Sequence, residues 1–320
     1  MKLKVLSLFD GMSCGRIALD KLDIKVSKYF AAEIDKHAIA VSKANWGENI
    51  IHIGDVTKVS FAEGILYFGE GQCECVGDID LVLAGSPCQG FSFAGKQLAF
   101  NDPRSKLYFE FERILKQIKE YNPSVKYLLE NVKMKQESKD FITDRLGVEP
   151  RLINSALVSA QNRERLYWTN IENVTIPEDK KIFLEDIIEN SHTDKQKGFC
   201  LDSSYFKGGN SEQYLSSDRQ QFIFKSPMIY QLARGANKGG IRGRDGKVTC
   251  LSSSSWEYNN KLICKEGIRK LTTVECERLQ TVPEGYTNHV PITQQYKMLG
   301  NGWTVDIISH ILSFMKFSNS

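Results

Sequence analysis

One cysteine stands in a turn that follows an apolar run, and a thiol at such a position can act as a nucleophile. Cys88 lies in the sequence Gly85-Ser86-Pro87-Cys88-Gln89-Gly90, shortly after the run at residues 79–84. Such a run is typical of a buried parallel strand, and open α/β sheets place their chemistry at the carboxyl ends of these strands. Pro87 fixes one backbone dihedral angle, and the glycines permit tight turns. A small buried hydrophobe is the alternative interpretation of Cys88 taken alone.

A carboxylate and two arginines also occur at or near predicted strands, as Cys88 does. Glu130 follows a second apolar run at residues 125–129, so its side chain can face the same cleft as Cys88. Arg163 and Arg165 are two residues apart, and on a strand this spacing sends both side chains to one face. The thiol, the carboxylate and the two guanidinium groups are therefore expected to converge on one site.

The N-terminal residues predict a cofactor site. A strand candidate at residues 5–9 leads into the glycine-bearing turn Asp10-Gly11-Met12-Ser13-Cys14-Gly15, which precedes a helical pattern. Glu33 lies near the end of a second strand, the usual place for a carboxylate that binds ribose hydroxyls. Asp55 ends a third strand candidate and can accept a hydrogen bond from an adenine amino group. The full dinucleotide fingerprint is absent, so an adenosine-containing cofactor without a phosphate cradle fits this spacing.

These residues belong to an ordered set of motifs that resembles the DNA cytosine-5 methyltransferases, which use S-adenosylmethionine. The first turn, with Phe9 and Asp10, and the last motif, Gly300-Asn301-Gly302-Trp303, resemble the branch of the animal de novo methyltransferases and their phage and bacterial relatives. Asp10 and Gly302 depart from the commoner bacterial pattern, which has Ala at the first position and Ser or Ala at the second. The other motifs are Gly54-Asp55, Ser86-Pro87-Cys88-Gln89, Asp102-Pro103-Arg104-Ser105, Glu130-Asn131-Val132, Gln161-Asn162-Arg163-Glu164-Arg165, the stretch from Arg269 to Gln280, and Gln295-Tyr296.

The resemblance implies an α/β fold with a doubly wound, Rossmann-like methyltransferase sheet and a second, smaller target-recognition domain. Strand and helix patterns alternate up to about residue 168, and the following stretch is richer in Ser, Asn, Gly and Lys. We therefore expect a catalytic and cofactor-binding domain at residues 1–169, a target-recognition domain at residues 170–268, and a return to the catalytic domain at residues 269–320.

The resemblance also implies the chemistry of each residue. Cys88 would add to C6 of cytosine and so activate C5, because C5 alone is too poor a nucleophile to accept a methyl group from a sulfonium. Glu130 would hydrogen-bond N3, Arg165 would hold O2, and Arg163 would brace the cysteine loop or a phosphate. No metal is required. The implied cofactor-binding residues are Phe9, Asp10, Gly11, Gly15, Glu33, Asp55, Val56, Pro87, Leu107 and Asn301.

Two segments are expected to contact duplex DNA, from which such an enzyme must flip its target base. The loop at residues 89–106 suits closure over the flipped base, and its candidate contacts are Gln89, Ser92, Lys96 and Arg104. The segment at residues 234–247 is basic and rich in glycine, and arginine is suited to reading guanine edges. Its candidate contacts are Arg234, Lys238, Arg242 and Arg244. Ordinary solvated loops are the alternative interpretation of both segments.

Composition is compatible with this interpretation. A chain of 320 residues can form a large α/β domain and a smaller one, and a net charge of +3 requires any basic surface to be local. The eight cysteines lack paired metal-ligand spacing and are expected to be reduced thiols. No signal peptide or membrane-spanning run is evident, so we expect a soluble, cytoplasmic protein. The resemblance implies a bacterial or phage origin, and we expect a monomer. Its expected partners are double-stranded DNA and a cognate restriction endonuclease.

Three other functions remain open on the sequence alone. A related branch of the family methylates tRNA with similar active-site residues, and methylation assays on duplex DNA and tRNA would separate the two. A degenerate relative that only binds DNA is disfavoured by intact Cys88, Glu130, Arg163 and Arg165. Thymidylate-synthase-like chemistry also uses a cysteine on C6, but the expected adenosine pocket favours the methyltransferase.

Overall fold

The computed structural model of the chain describes residues 2–86, 106–191, 193, 195–207, 221–224, 228–231, 240–242, 261–263 and 268–316. Its main sheet has seven strands in the order β3-β2-β1-β7-β8-β10-β9. From β3 to β8 the neighbouring strands are parallel, whereas β10 and β9 are joined to this edge by antiparallel pairing. The strands are β1 (Leu3–Leu8), β2 (Val26–Ala32), β3 (Ile51–His52), β7 (Leu81–Ala84), β8 (Lys126–Val132), β9 (Arg151–Asn154) and β10 (Glu164–Thr169).

Helices cover both faces of this sheet. They are α1 (Cys14–Lys21), α2 (Lys36–Trp46), α3 (Lys106–Tyr121), α4 (Gln136–Leu146), α5 (Thr273–Leu279), α6 (Ile292–Asn301) and α7 (Val305–Leu312). In β7, Leu81 and Leu83 join the apolar cluster that contains α1 and α7, whereas Val82 and Ala84 join the cluster that contains α3 and α4. A strand buried on both faces needs apolar side chains at successive positions, which explains the run seen in the sequence. The predicted doubly wound α/β fold is confirmed.

The strands expected at residues 5–9, 79–84 and 125–129 correspond to β1, β7 and β8. Sequence analysis missed a small antiparallel sheet between β3 and β7. Its strands are β4 (Ser60–Ala62), β5 (Ile65–Phe68) and β6 (Gln72–Cys75), in that order across the sheet. Phe61 and Leu66 bury one face of it against the cluster of α3 and α4.

The first part of the region expected to form the target-recognition domain packs against the helices that cover the main sheet. Between residues 171 and 205, several apolar side chains join the cluster of α1 and α7, among them Ile171, Val174, Leu184, Leu201 and Tyr205. Farther along, β11 (Phe222–Phe224) pairs with β15 (Ile268–Lys270). The strands β12 (Met228–Gln231), β13 (Gly240–Arg242) and β14 (Lys261–Ile263) form a separate sheet with β12 in the middle. The expected boundaries at residues 169 and 268 remain predictions.

Within the described ranges, none of the helices combines the length and the apolar character that a membrane-spanning segment needs.

Candidate active site

A cavity of about 350 Å³ lies at the carboxyl ends of the parallel strands. The turn after β1, the residues after β2, Gly85 and Ser86 after β7, and the end of β8 all contribute to its wall. The start of β10 and the end of α6 complete it. Eight of the predicted site residues line this cavity, namely Phe9, Asp10, Gly11, Glu33, Glu130, Arg163, Arg165 and Asn301.

The other predicted residues are placed differently. Asp55 begins a short 3-10 helix, where its carboxylate accepts a hydrogen bond from the backbone N–H of Thr57, and Val56 is buried in the same helix. Leu107 packs against the cluster of α3 and α4. None of these three, nor Gly15, is among the described residues that line the cavity. Pro87, Cys88, Gln89, Ser92, Lys96, Arg104, Arg234, Lys238, Arg244 and the side chain of Arg242 lie outside the described part of the chain.

Gly15 has a packing reason to be glycine. A Cβ atom at this position would lie 2.5 Å from Leu83 Cδ1 and 3.0 Å from the Tyr29 hydroxyl, because α1 begins directly above β7 and β2. Gly302, which departs from the commoner family pattern, is equally confined. A Cβ atom there would lie 2.9 Å from Met12 Cε, so the glycine leaves room for this side chain of the N-terminal turn.

Glu130 is buried on β8 and has one partner for each carboxylate oxygen. Arg165 Nε lies 3.1 Å from Oε1, and the indole N–H of Trp303 donates to Oε2 at 3.1 Å. Burial is the largest single effect and disfavours the charge on Arg165, but the Glu130 carboxylate together with Cys200 and Tyr167 outweighs burial, so the pKa of Arg165 is raised above its usual value. The guanidinium therefore stays cationic beside Glu130. This arrangement provides an acid or base and a fixed positive charge at one point of the cavity wall.

The two terminal nitrogen atoms of Arg163 donate mainly to backbone carbonyl groups. Its side chain, 3% exposed, donates to the oxygen atoms of Leu201 at 2.9 Å, Gly300 at 3.2 Å and Gly302 at 3.0 Å. Carbonyl groups at the end of a helix lack intrahelical donors, and a guanidinium group can satisfy several of them at once. Arg163 thus joins the start of β10 to the turn after α6.

The turn after β1 is braced by the next strand. Glu33, directly after β2, accepts hydrogen bonds from the backbone N–H of Gly11 at one oxygen and from those of Ile34 and Asp35 at the other, each at 2.8 Å. Gly11 has a φ of +59°, a left-handed conformation that glycine adopts without strain. The carboxylate therefore fixes the turn and still faces the cavity.

Asp10 is a buried acid in this turn. Its carboxyl group accepts hydrogen bonds from the hydroxyl groups of Ser13 and of Tyr29, the latter at 2.8 Å. Burial raises the pKa of Asp10 to about 6, and the hydrogen bonds from Ser13 and Tyr29 only partly oppose this effect. Asp10 therefore keeps its proton to a higher pH than an ordinary aspartic acid does.

A second thiol, Cys14, also lines the cavity. Burial raises the pKa of Cys14 to about 12, and the nearby carboxyl groups of Asp10 and Glu130 add to the effect. Because the thiolate is the nucleophilic form, Cys14 is unsuited to nucleophilic catalysis at neutral pH.

Two contributors to the site were missed in the sequence. Trp303, to which the sequence assigned no role in the site, donates to Glu130, and only its place directly after Gly300-Asn301-Gly302 could have drawn attention to it. Asn131, next to Glu130, donates to the Ser86 hydroxyl at 3.1 Å and so holds the end of β7, two residues before Cys88. Its position inside the Glu130-Asn131-Val132 motif was the available signal.

The motif residues from Arg269 to Gln280 hold together the elements that carry the site residues. The Thr272 side chain caps α5 by accepting a hydrogen bond from the backbone N–H of Glu275. In return, the Glu275 carboxylate accepts a hydrogen bond from the Thr272 N–H and pairs with Arg269 at 2.7 Å. Gln280 donates to the Leu299 carbonyl at 2.6 Å and accepts from Gln161 at 3.0 Å. This part of the sequence therefore connects α5, α6 and the segment before β10.

Known methyltransferases are similar to this chain over most of its length. The family profile described as C-5 cytosine-specific DNA methylase matches residues 3–316. The Type II methyltransferase M1.ScrFI of Lactococcus lactis subsp. cremoris is 30% identical over 98% of this chain and 78% of its own length. The Type II methyltransferase M.NlaX of Neisseria lactamica is 26% identical over 98% of this chain and 96% of its own length.

Solved structures show the same fold at low sequence identity. The methyltransferase EhMeth of Entamoeba histolytica superposes with a TM-score of 0.62 at 15% identity, covering 98% of both chains. The Dnmt2 methyltransferase of S. pombe superposes with a TM-score of 0.60 at 16% identity, covering 98% of this chain and 97% of its own. With a family match over nearly its whole length, the chain belongs to the C-5 cytosine-specific DNA methylase family and is a cytosine-5 methyltransferase.

Proposed function

We propose that this chain transfers a methyl group from S-adenosylmethionine to C5 of a flipped-out cytosine in a specific duplex DNA sequence, through a covalent bond between Cys88 and C6. The observation that carries the proposal is the convergence of Glu130, Arg165 and Ser86 on the cavity that also holds the turn after β1 and Glu33. Ser86 stands two residues before Cys88 in the sequence.

The residues present fit the methyl donor. A cavity of about 350 Å³ is within the range of roughly 300–1,000 Å³ that is typical of small-molecule sites. The carboxylates of Glu33 and Asp10 suit a ligand that carries a sulfonium and an ammonium charge, and Glu33 can accept ribose hydroxyl groups. Phe9 and Asn301 would contact the rest of the ligand. When bound, this group supplies an electrophilic methyl carbon.

The protein's own residues would carry the remaining steps. The Cys88 thiolate adds to C6 of cytosine, and the electron pair of the C5–C6 double bond moves into the ring toward N3 and O2. Glu130 hydrogen-bonds N3 and shares a proton with it, while Arg165 stabilises the charge at O2. C5 would then form a bond to the methyl carbon as the bond between that carbon and the sulfonium sulfur breaks, which leaves S-adenosylhomocysteine. Loss of the C5 proton to a base and expulsion of Cys88 restore the aromatic ring.

Three further parts of the proposal concern setting and substrate. The Type II names of the curated relatives support duplex DNA as the substrate and a restriction-modification setting with a cognate endonuclease. A target atom inside a stacked duplex requires base flipping. We place the protein in the bacterial cytoplasm as a monomer. Parallel methylation assays on duplex DNA and on tRNA test the substrate, and methylation of tRNA alone would reject the DNA assignment.

The nucleophile is tested by Cys88→Ala, with Cys73→Ala as the control because Cys73 is an exposed thiol on β6, outside the cavity wall. Cys88→Ala should abolish methyl transfer and leave binding of S-adenosylmethionine largely intact. Wild-type and Cys73→Ala proteins should form a denaturant-resistant adduct with duplex DNA that carries 5-fluorocytosine, since fluorine cannot leave as a proton does. A Cys88→Ala protein that still forms this adduct would refute the covalent mechanism.

A further inference from the structure

Trp303 lies where the wall of the cavity meets the side chain of Glu130. The indole is 9% exposed and lines the cavity, and its N–H points at Glu130 Oε2. The opposite oxygen, Oε1, faces Arg165 on β10. The two anchors of this one carboxyl group therefore come from elements far apart in the sequence.

The place of the indole is set by its neighbours on the sheet. A Cβ atom on Gly85 would lie 2.8 Å from Trp303 Nε1, so the ring can reach Glu130 only because the residue after β7 is glycine. On the other side, a Cβ atom on Gly15 would lie 3.6 Å from Cζ3 of the same ring. The ring is thus confined between the end of β7 and the start of α1.

The backbone on both sides of Trp303 is also held. Arg163 donates to the Gly302 carbonyl at 3.0 Å, immediately before the tryptophan. Immediately after it, the Thr304 hydroxyl donates to Gln280 Oε1 at 2.9 Å and accepts from the Ser155 hydroxyl at 2.8 Å. Fixed backbone positions on either side leave the indole little freedom to move away from Glu130.

We propose that Trp303 is a positioning residue that fixes the orientation of the Glu130 carboxyl group toward the base. The proposal rests on the proposed role of Glu130. The terminal torsion of a glutamate has a broad preference, so a carboxyl group with a single anchor can rotate about its last bond. A donor on each oxygen defines the plane of the group. A general acid must lie within about 2.6–3.2 Å of the atom it serves, so this plane decides whether Glu130 can reach N3.

Arg163 would then act on the site through the backbone and not by direct contact with the substrate. Through Gly302, Arg163 sets the backbone that carries Trp303, and Trp303 in turn sets Glu130. Arg165 acts on the same carboxyl group directly. The two arginines of one motif therefore support Glu130 by two routes, one through the backbone and one through charge.

Trp303→Phe tests the proposal because it keeps an aromatic ring and removes the N–H. Trp168→Phe is the matched control: Trp168 is fully buried, lies away from the cavity wall, and loses a comparable indole hydrogen bond, at 3.1 Å to the Thr143 hydroxyl. The single-turnover rate of methyl transfer, the dissociation constant for S-adenosylmethionine and the melting temperature are measured for both. Misplacing a catalytic group by about 1 Å can cost roughly 100-fold, so we expect Trp303→Phe to slow methyl transfer by about 10- to 100-fold. The dissociation constant should change far less, and Trp168→Phe should retain the wild-type rate.

A double-mutant cycle with Glu130→Gln separates positioning from other roles. If Trp303 acts through Glu130, Trp303→Phe should cause no further loss in a Glu130→Gln background. The proposal would be overturned if Trp303→Phe slowed methyl transfer equally in both backgrounds or left the rate at the wild-type value. It would also be overturned if affinity for S-adenosylmethionine fell as much as the rate. A wild-type rate for Glu130→Gln would instead reject the role of Glu130 in the proposed function. Should Trp303→Phe fail to fold, Gly85→Ala displaces the same indole from the other side and should give the same dependence on Glu130.

Discussion

The buried acid Asp10 should make the stability of this protein depend on pH in a defined window. Its side chain is 8% exposed, lines the cavity and accepts hydrogen bonds from Ser13 and Tyr29. Burial raises its pKa from 3.8 to about 6. Between these two values the folded protein keeps a proton on Asp10 that the unfolded chain has released.

The sign and size of the effect follow from this difference. Folding takes up a proton in the window, so the stabilising contribution of Asp10 is complete below about pH 4 and is lost as the pH rises through about 6. A shift of one pKa unit corresponds to about 1.4 kcal/mol, so a rise from 3.8 to about 6 corresponds to about 3 kcal/mol. Asp10→Asn removes the titration and keeps the shape of the side chain.

Urea unfolding of the wild-type and Asp10→Asn proteins at several values between pH 4 and pH 7 measures this contribution. The free energy of unfolding of Asp10→Asn, relative to wild type, should rise by about 2 kcal/mol between pH 4 and pH 7, and the rest of the effect lies below pH 4. Asp20→Asn, which removes an exposed carboxylate from α1, controls for the loss of one charge and should stay within about 0.5 kcal/mol of wild type throughout. Parallel curves for wild type and Asp10→Asn would show that Asp10 titrates alike in the folded and unfolded states, contrary to this reasoning.

Two further predictions concern the support of the site and the reading of DNA. Glu277 is fully buried and accepts hydrogen bonds from the backbone N–H groups of Gly285 and Thr287. Glu277→Gln should lower the free energy of unfolding by about 1–3 kcal/mol, because an amide N–H would then face a donor. An unchanged urea midpoint would contradict this expectation. If one of Arg234, Arg242 and Arg244 reads a guanine edge, its replacement by Ala should relax specificity at one base position and cost about 1–3 kcal/mol there. If these arginines contact only phosphates, their replacement should weaken binding to all sequences alike. Methylation profiling of the three variants on a randomised duplex library distinguishes the two, and three unchanged preferences would place recognition elsewhere in residues 170–268.

Much of the fold and of the candidate site could be predicted from local sequence. Parallel strands buried on both faces must be apolar at successive positions, so β1, β7 and β8 were visible as runs. Residues that follow such runs meet at one edge of the sheet, and this rule placed Asp10, Glu33 and Glu130 in a common cavity. The small sheet of β4 to β6 was missed because its strands are only three or four residues long, too short to show a clear alternation.

The sequence by itself determined which residue types are available and which strand ends carry them, because both depend on neighbours along the chain. Only the tertiary structure decided what those side chains contact. That Arg163 braces the cysteine loop or a phosphate remains a prediction, and its contacts with the carbonyl groups of Gly300 and Gly302, more than 130 residues away, could not be expected from local sequence. Trp303 contacts Glu130 because Gly85 leaves room for the ring, and such an approach depends on the packing of α1, β7 and the turn after α6. Contacts between distant segments follow from how whole elements pack, and no local pattern specifies them.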